Sequence, residues 1–390
     1  MIGSLFSPGT KRDRQPEFTQ LDIELSFVDR EGVKSLIERL LVHSLSRLKD
    51  PHYSIPVPST PFPSMTYQEA MSSYGVDKPD VRFGMKVIDL TPLLLDGATG
   101  SAVIDACVEA GGSVKCIKVE NRSKKLTKPE WKEVLTNTPK KLVTEGEESN
   151  ETEVEEESVE DVNVTDLNPE EENFVLIVVK KDSKWETSSH VRHFHEATRR
   201  RINEYLAVKP GDVIILTQGD DAIGRSVALG KLRLKIAKAL ETKGADIYDG
   251  PFAWLWVDDF PLFLPAEDET ELAASSSSGS SSSTSLLESA HHPFTAPHPD
   301  DVHLLDEDPL RCRGLHYDLV LNGNEIGGGS IRIHDGEFQR KILKEFLKEE
   351  TDQLEHLLKA LDSGAPPHGG IALGELSTFC PRRNKFRRGL

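Results

Sequence analysis

The sequence predicts a mixed α/β fold of the α+β kind, organised on an antiparallel sheet, and three stretches predict it. The apolar-polar run 315–321 and a following run that carries Glu325 and Arg332 read as two antiparallel strands joined by Asn322-Gly323. Asn-Gly between two such runs is the strongest short hairpin signal, because both turn positions need positive φ. Residues 18–27 alternate cleanly, with Leu21, Ile23, Leu25 and Phe27 on one face and Gln20, Asp22, Glu24 and Ser26 on the other. That is the pattern of a half-buried strand. Residues 33–49 then place Val33, Leu36, Ile37, Leu40, Leu41, Leu45 and Leu48 at helical spacing, an amphipathic helix that needs a partner to cover its apolar stripe.

The remaining elements follow in order. Proline-rich residues 54–64 read as an extended connector. From about residue 84 to 219 the text changes to strand-like runs at 114–119, 174–179 and 212–216 around a helix-like 192–206. The expected domains are therefore 1–83, an inserted α+β unit at 84–219, and 220–390. Within the insert, His190, His193 and His195 stand near Arg199 to Arg201 and read as a polar helix face rather than a metal site. Residues 145–172 hold 14 Asp or Glu and no Lys or Arg; such a segment cannot bury enough apolar surface to fold and is expected to be disordered. Residues 222–240 read as helix, and the aromatic run 252–263 as a core strand. Serine-rich residues 275–285 read as a flexible linker. Residues 336–361 read as a helix with a break near Thr351-Asp352.

Chemistry concentrates in residues 291–334. His291 and His292 precede Pro293, and the hairpin carries Asp318, Glu325, Gly327 to Gly329 and Arg332. Glycine weakens a strand, so three together need a reason. Glu325 and Arg332, seven apart, would face opposite sides of a regular strand. One extra residue bulged within Gly327 to Gly329 would bring them to one face. Two carboxylates, a guanidinium and nearby imidazoles then suit a Mg-nucleotide and an acidic substrate. A surface hairpin with ordinary ion pairs is the competing reading of the same spacing.

At 390 residues the chain exceeds one typical domain. Its 37% hydrophobic and 29% charged residues describe a soluble protein, and no apolar run approaches a membrane span. Residues 1–11 are too short for a presequence and lack a secretory apolar core. The net charge is −18, of which −14 belongs to residues 145–172, leaving −4 elsewhere. That near-neutral remainder leaves room for a basic nucleic-acid-facing patch. Cys107, Cys116, Cys312 and Cys380 have no metal-type spacing, which suits free thiols in a reducing compartment.

The wording of 291–334, together with DRQPEFTQLDIELSF (13–27), YGVDKPDVRFGM (74–85), WVDDFPLF (256–263) and GAPPHGGIALG (364–374), resembles the aspartyl-tRNA synthetases of bacterial and mitochondrial type, a class II family. The motifs stand in family order over most of the chain. The resemblance implies a class II antiparallel-sheet catalytic domain interrupted by a GAD-type domain, the insertion shared with a tRNA-dependent amidotransferase subunit. It implies activation of L-aspartate by ATP and Mg2+, then transfer to tRNA(Asp). By motif matching, Asp22, His291, His292 and Arg332 would contact aspartate. Gln15, Glu325 and Gly374 would contact ATP, and Asp318 and Glu325 would hold magnesium. The two low-complexity inserts fit a nucleus-encoded enzyme of the mitochondrial matrix; without an import signal the protein would be cytoplasmic.

The departures from the family pattern are equally specific. Phe6 stands where motif 2 has its phosphate-clamping Arg, Pro8 where it has Glu, and Ser377 where motif 3 has its ATP-clamping Arg. The motif that builds the family homodimer and the amino-terminal anticodon-binding barrel have no counterpart here. Three readings stay open. One is an aspartate–tRNA ligase present as an incomplete chain, inactive alone. The second is a non-catalytic ATP- or tRNA-binding protein of the same fold. The third, a related asparagine synthetase, is opposed by the insert.

Overall fold

Chain order in the computed structural model opens with strands β1 (Ile2–Phe6) and β2 (Glu17–Ser26), helix α1 (Arg30–Arg47), β3 (Ser64–Thr66) and α2 (Tyr67–Tyr74). There follow β4 (Val87–Asp89), α3 (Ala102–Glu109), β5 (Ser113–Val119), α4 (Lys128–Leu135), β6 (Val175–Val179), β7 (Trp185–Glu186), α5 (Glu196–Tyr205), β8 (Val213–Gly219) and α6 (Ala222–Thr242). The last part holds β9 (Trp254–Asp258), β10 (Phe263–Pro265), β11 (Leu287–Ser289), β12 (His316–Leu321), β13 (Asn324–Ile331) and β14 (His368–Leu373), with short helices between them. The structure describes residues 2–6, 17–47, 56–97, 99–121, 125–135, 174–187, 189–220, 222–266 and 286–374, with side chains from Thr19 onward. Gln15, Ser377, Cys380, the acidic segment 145–172 and the serine-rich 275–285 lie outside the described residues.

Two units emerge. The first comprises Met1–Ala70, Asp77–Val81 and Gly250–Leu390; the second comprises Met71–Val76 and Arg82–Asp249. In the first, seven strands run β1-β2-β14-β13-β12-β9-β3. Every neighbouring pair is antiparallel except β3 with β9. The expected antiparallel sheet is present. Its core lies on the α1 side, where Val33, Ile37 and Leu41 meet Trp256, Tyr317, Leu319, Leu321, Ile326 and Ile371. Tyr317 and Leu319 alternate with His316 and Asp318, so a single register decides both faces there.

The second unit carries the five-stranded sheet β4-β5-β8-β6-β7, again antiparallel throughout. Its carboxyl-terminal boundary corrects the expected 219 to Asp249. The reason is α6, whose Ala228, Leu229, Leu232, Ile236 and Leu240 pack on Ile117, Val213 and Ile215 of this sheet. His190 and His193 form a 3-10 turn and His195 is the N-cap of α5, so the three histidines precede the helix rather than forming its face.

Two further elements differ from expectation. The run 252–263 is two strands, because Asp259 adopts φ 56° and stops β9. Residues 336–361 are a short helix, a π turn, a bend and a second helix. The bend is Lys348, at φ 57°. The helical path resumes where expected, with Thr351 as the N-cap of a 3-10 turn over Asp352–Leu354.

Candidate active site on the polar face of the large sheet

The hairpin turn forms as its sequence demands, with Asn322 at φ 54° and Gly323 at φ 79°. Beyond it, Leu321 pairs with Asn324 and Val320 with Glu325, but Leu319 pairs with Gly327. Ile326 is thus the extra residue. The bulge sits one position ahead of the glycines rather than within them. Its effect is the expected one: Glu325, Gly328, Ser330 and Arg332 share a face, beside His316 and Asp318. Register carries the same face across Ala372 and Gly370 of β14 to Asp22 and Glu24 of β2.

The glycines now have a reason. A Cβ on Gly328 would lie 2.8 Å from Asp318 Oδ1 and 3.0 Å from Glu325 Oε1. Both carboxylates lean over the space that this side chain would fill. Gly329 and Gly370 let adjacent strands approach; a Cβ on Gly329 would sit 2.0 Å from the Gly370 carbonyl oxygen.

Opposite the carboxylates stands Lys78, whose Nζ is 3.3 Å from Asp318 Oδ2 and 3.4 Å from Glu325 Oε2, with Asp77 at 2.7 Å. Burial works against the ammonium charge, but Asp318, Asp77 and Glu325 outweigh it and raise the Lys78 pKa. Asp318 is itself buried, which disfavours its charge; the hydrogen bond from His316 and the charge of Lys78 hold its carboxyl below the usual range. Glu325 moves the other way, raised first by burial and then by the neighbouring Asp318 charge. The pair is therefore asymmetric, with Asp318 ionising before Glu325.

Arg332 forms the second pole. Its Nε and Nη2 face the two oxygens of Glu24 at 3.3 and 3.4 Å, a fork on a carboxylate. Its Nη1 donates to Ser330 Oγ at 2.6 Å and to His292 Nε2. The guanidinium can only donate to Nε2, and on the other side of the ring His292 Nδ1 lies 3.3 Å from the Phe294 N–H and 3.4 Å from Thr295 Oγ1. Burial and the Arg332 charge push the His292 pKa down to about 3. His291 is lowered to about 4, mainly by burial and then by His316. Both imidazoles are neutral at physiological pH.

Of the residues singled out from sequence, Asp318, Glu325, Arg332, His291 and His292 converge here. Asp22 lies on the same face and is half-buried. Gly374 closes β14, its N–H donating to Ile326 O at 2.9 Å. Sequence reasoning missed Lys78, Ser330 and His316, and left Glu24 without a role. Among the described residues no group of three or more His, Cys, Asp or Glu could hold a metal ion. Two carboxylates over a glycine, with an ammonium between them, instead suit a cation that completes its shell from water and a ligand's phosphates.

The chain belongs to the class II tRNA synthetases (D, K and N), whose family model matches residues 8–375. Within that family it is similar to the mitochondrial aspartate–tRNA ligase of Homo sapiens, 44% identical over 374 residues, 95% of this chain and 50% of that protein. The Rattus norvegicus counterpart is 43% identical over 368 residues, 94% of this chain and 48% of that protein. The aspartate–tRNA(Asp/Asn) ligase of Opitutus terrae is 36% identical over 369 residues, 93% of this chain and 53% of that protein. The chain spans about half the length of these curated relatives.

Proposed function

We propose that the polar face of the large sheet is an aspartate-activation site of an aspartate–tRNA ligase. The observation that carries it is the Arg332 fork, already matched to a carboxylate in Glu24. A planar guanidinium that grips one carboxylate can exchange it for another, which favours aspartate over asparagine. Asp22, on the adjoining strand position, meets the substrate ammonium, and neutral His291 and His292 line the same pole. His292 keeps Arg332 in plane without adding charge.

ATP binds beside it, with Glu325 and Gly374 on its side, and the family resemblance adds Gln15 as a further ATP contact. Asp318 and Glu325 would hold magnesium, which when bound offsets charge on the phosphates. Catalysis in such a site is positioning and charge neutralisation: the aspartate α-carboxylate attacks the α-phosphorus, the P–O bond to pyrophosphate breaks, and aspartyl-adenylate forms. The aminoacyl group then passes to the terminal ribose of tRNA(Asp). The names of the relatives, aspartate–tRNA ligases with mitochondrial forms among them, support a ligase of this class and a mitochondrial compartment. The second unit is read as a GAD-type insert, and a second copy of the chain as the family's partner.

Binding of a non-hydrolysable sulfamoyl analogue of aspartyl-adenylate, measured by calorimetry against its asparaginyl counterpart, tests the site. A preference of at least tenfold, about 1.4 kcal/mol, is expected; equal binding would sink the reading. Phe6 and Ser377, standing where the family pattern has phosphate-clamping arginines, favour a second reading in which the site binds without turning over. Each missing donor to developing charge is worth about 100- to 1000-fold. Aspartate-dependent pyrophosphate–ATP exchange within about tenfold of a full-length relative would exclude that second reading.

A further inference from the structure

We propose that His316 is a positioning residue that makes Asp318 a one-oxygen ligand for the cation. It rests on the reading of Asp318 and Glu325 as the cation-binding pair. His316 and Asp318 stand two apart on β12, facing the same side, and both are buried. The imidazole Nε2–H donates to Asp318 Oδ1 at 2.8 Å. The ring cannot swing away easily. Phe260 stacks on one side at 4.4 Å and 20°, and His291 contacts it at 3.8 Å and 30°.

The hydrogen bond engages one lone pair of Oδ1 and biases coordination to Asp318 Oδ2, which with Glu325 Oε2 faces Lys78 Nζ. A carboxylate limited to one oxygen suits a small octahedral ion such as Mg2+ or Mn2+, whereas Ca2+ readily takes carboxylates through both oxygens. His316 therefore sets both affinity and ion preference through a hydrogen bond behind the ligand.

The test is Mn2+ binding to the full chain, followed by loss of the free-ion EPR signal, with Ca2+ as competitor. His316→Phe keeps the ring stack and removes the donor. It is expected to weaken Mn2+ by about tenfold or more and to shift the Mn2+/Ca2+ preference towards Ca2+. His316→Gln returns a donor at similar reach and should bind Mn2+ within about threefold of the parent. Should the phenylalanine variant fail to fold, His316→Asn, whose amide is too short to reach Oδ1, takes its place with the same expectation. Equal Mn2+ binding by the parent and the donor-less variant overturns the role of His316 alone, as do equal losses in the donor-less and glutamine variants. A parent that binds no Mn2+ overturns the cation-pair reading and this inference with it.

Discussion

Lys78 Nζ stands 3.3 Å from Asp318 Oδ2, and Glu325 Oε2 lies 3.4 Å from the same nitrogen. If Asp318 and Glu325 are the proposed cation pair, the ammonium and a divalent cation compete for the same two oxygens. Lys78→Met should lower the melting temperature in metal-free buffer, because like charges are left together over Gly328. Added Mn2+ should then raise it more in the variant than in the parent. A variant indifferent to Mn2+ contradicts this picture of the acidic pair.

His292 supplies a pH prediction. The unfolded imidazole takes up its proton near pH 6.5, the folded one only near about 3. Between these values the unfolded state binds more protons, so this residue's contribution to stability falls as pH drops through the window. Ring 15N resonances should show His292 neutral at pH 5.5. A midpoint between pH 6 and 7 would rule out the neutral acceptor role beside Arg332.

The glycines separate fold from site. Gly329→Ala drives a Cβ towards the Gly370 carbonyl, a backbone atom that cannot yield without moving a strand. It should cost about 1–3 kcal/mol or more in urea unfolding. Gly328→Ala meets side-chain oxygens of Asp318 and Glu325 instead. It should cost less stability and chiefly weaken Mn2+ binding. The reverse ranking would show that Gly328 serves the sheet rather than the site.

Much of the fold could be read in the chain because one periodicity governs it. The alternation in β2 picked out Ile23 and Leu25 against the core, though Leu21 and Phe27 of the same pattern are exposed, and the need for a bulge followed from Glu325 and Arg332 alone. What escaped was set by distant contacts. Lys78 sits in a loop with no periodicity and reaches carboxylates 240 and 247 residues further along. His316 looked like one more member of an apolar strand. Asp259 breaks a run that reads as a single strand, and it is held there by Arg30 at 2.5 Å and Arg313 at 3.5 Å. The α6 residues Leu229, Leu232, Ile236 and Leu240 show helical spacing but do not name the sheet they cover, which the packing on Ile117, Val213 and Ile215 supplies.

On the opposite face of the large sheet, Lys34 Nζ and Ser64 Oγ each lie 2.5 Å from Asp258 Oδ2. The Lys34 and Asp258 side chains are 6% and 10% exposed. Removing one member of a buried pair strands the other charge. Lys34→Met should cost about 3–5 kcal/mol in urea unfolding, and Lys34→Met with Asp258→Leu should cost less than the single change. A single variant as stable as the parent would mean that Ser64 and water satisfy Asp258 without the lysine.

Recognition of the substrate carboxylate by Arg332 is the central claim, and calorimetric titration of the chain with L-aspartate and L-asparagine, in the presence of ATP and Mg2+, tests it most directly. The parent should bind aspartate at least tenfold more tightly than asparagine, about 1.4 kcal/mol. Arg332→Lys keeps the charge but loses the fork, and it should erase most of that preference. A parent that binds the two amino acids equally, or an Arg332→Lys variant that still prefers aspartate by the parent's margin, would contradict the assignment.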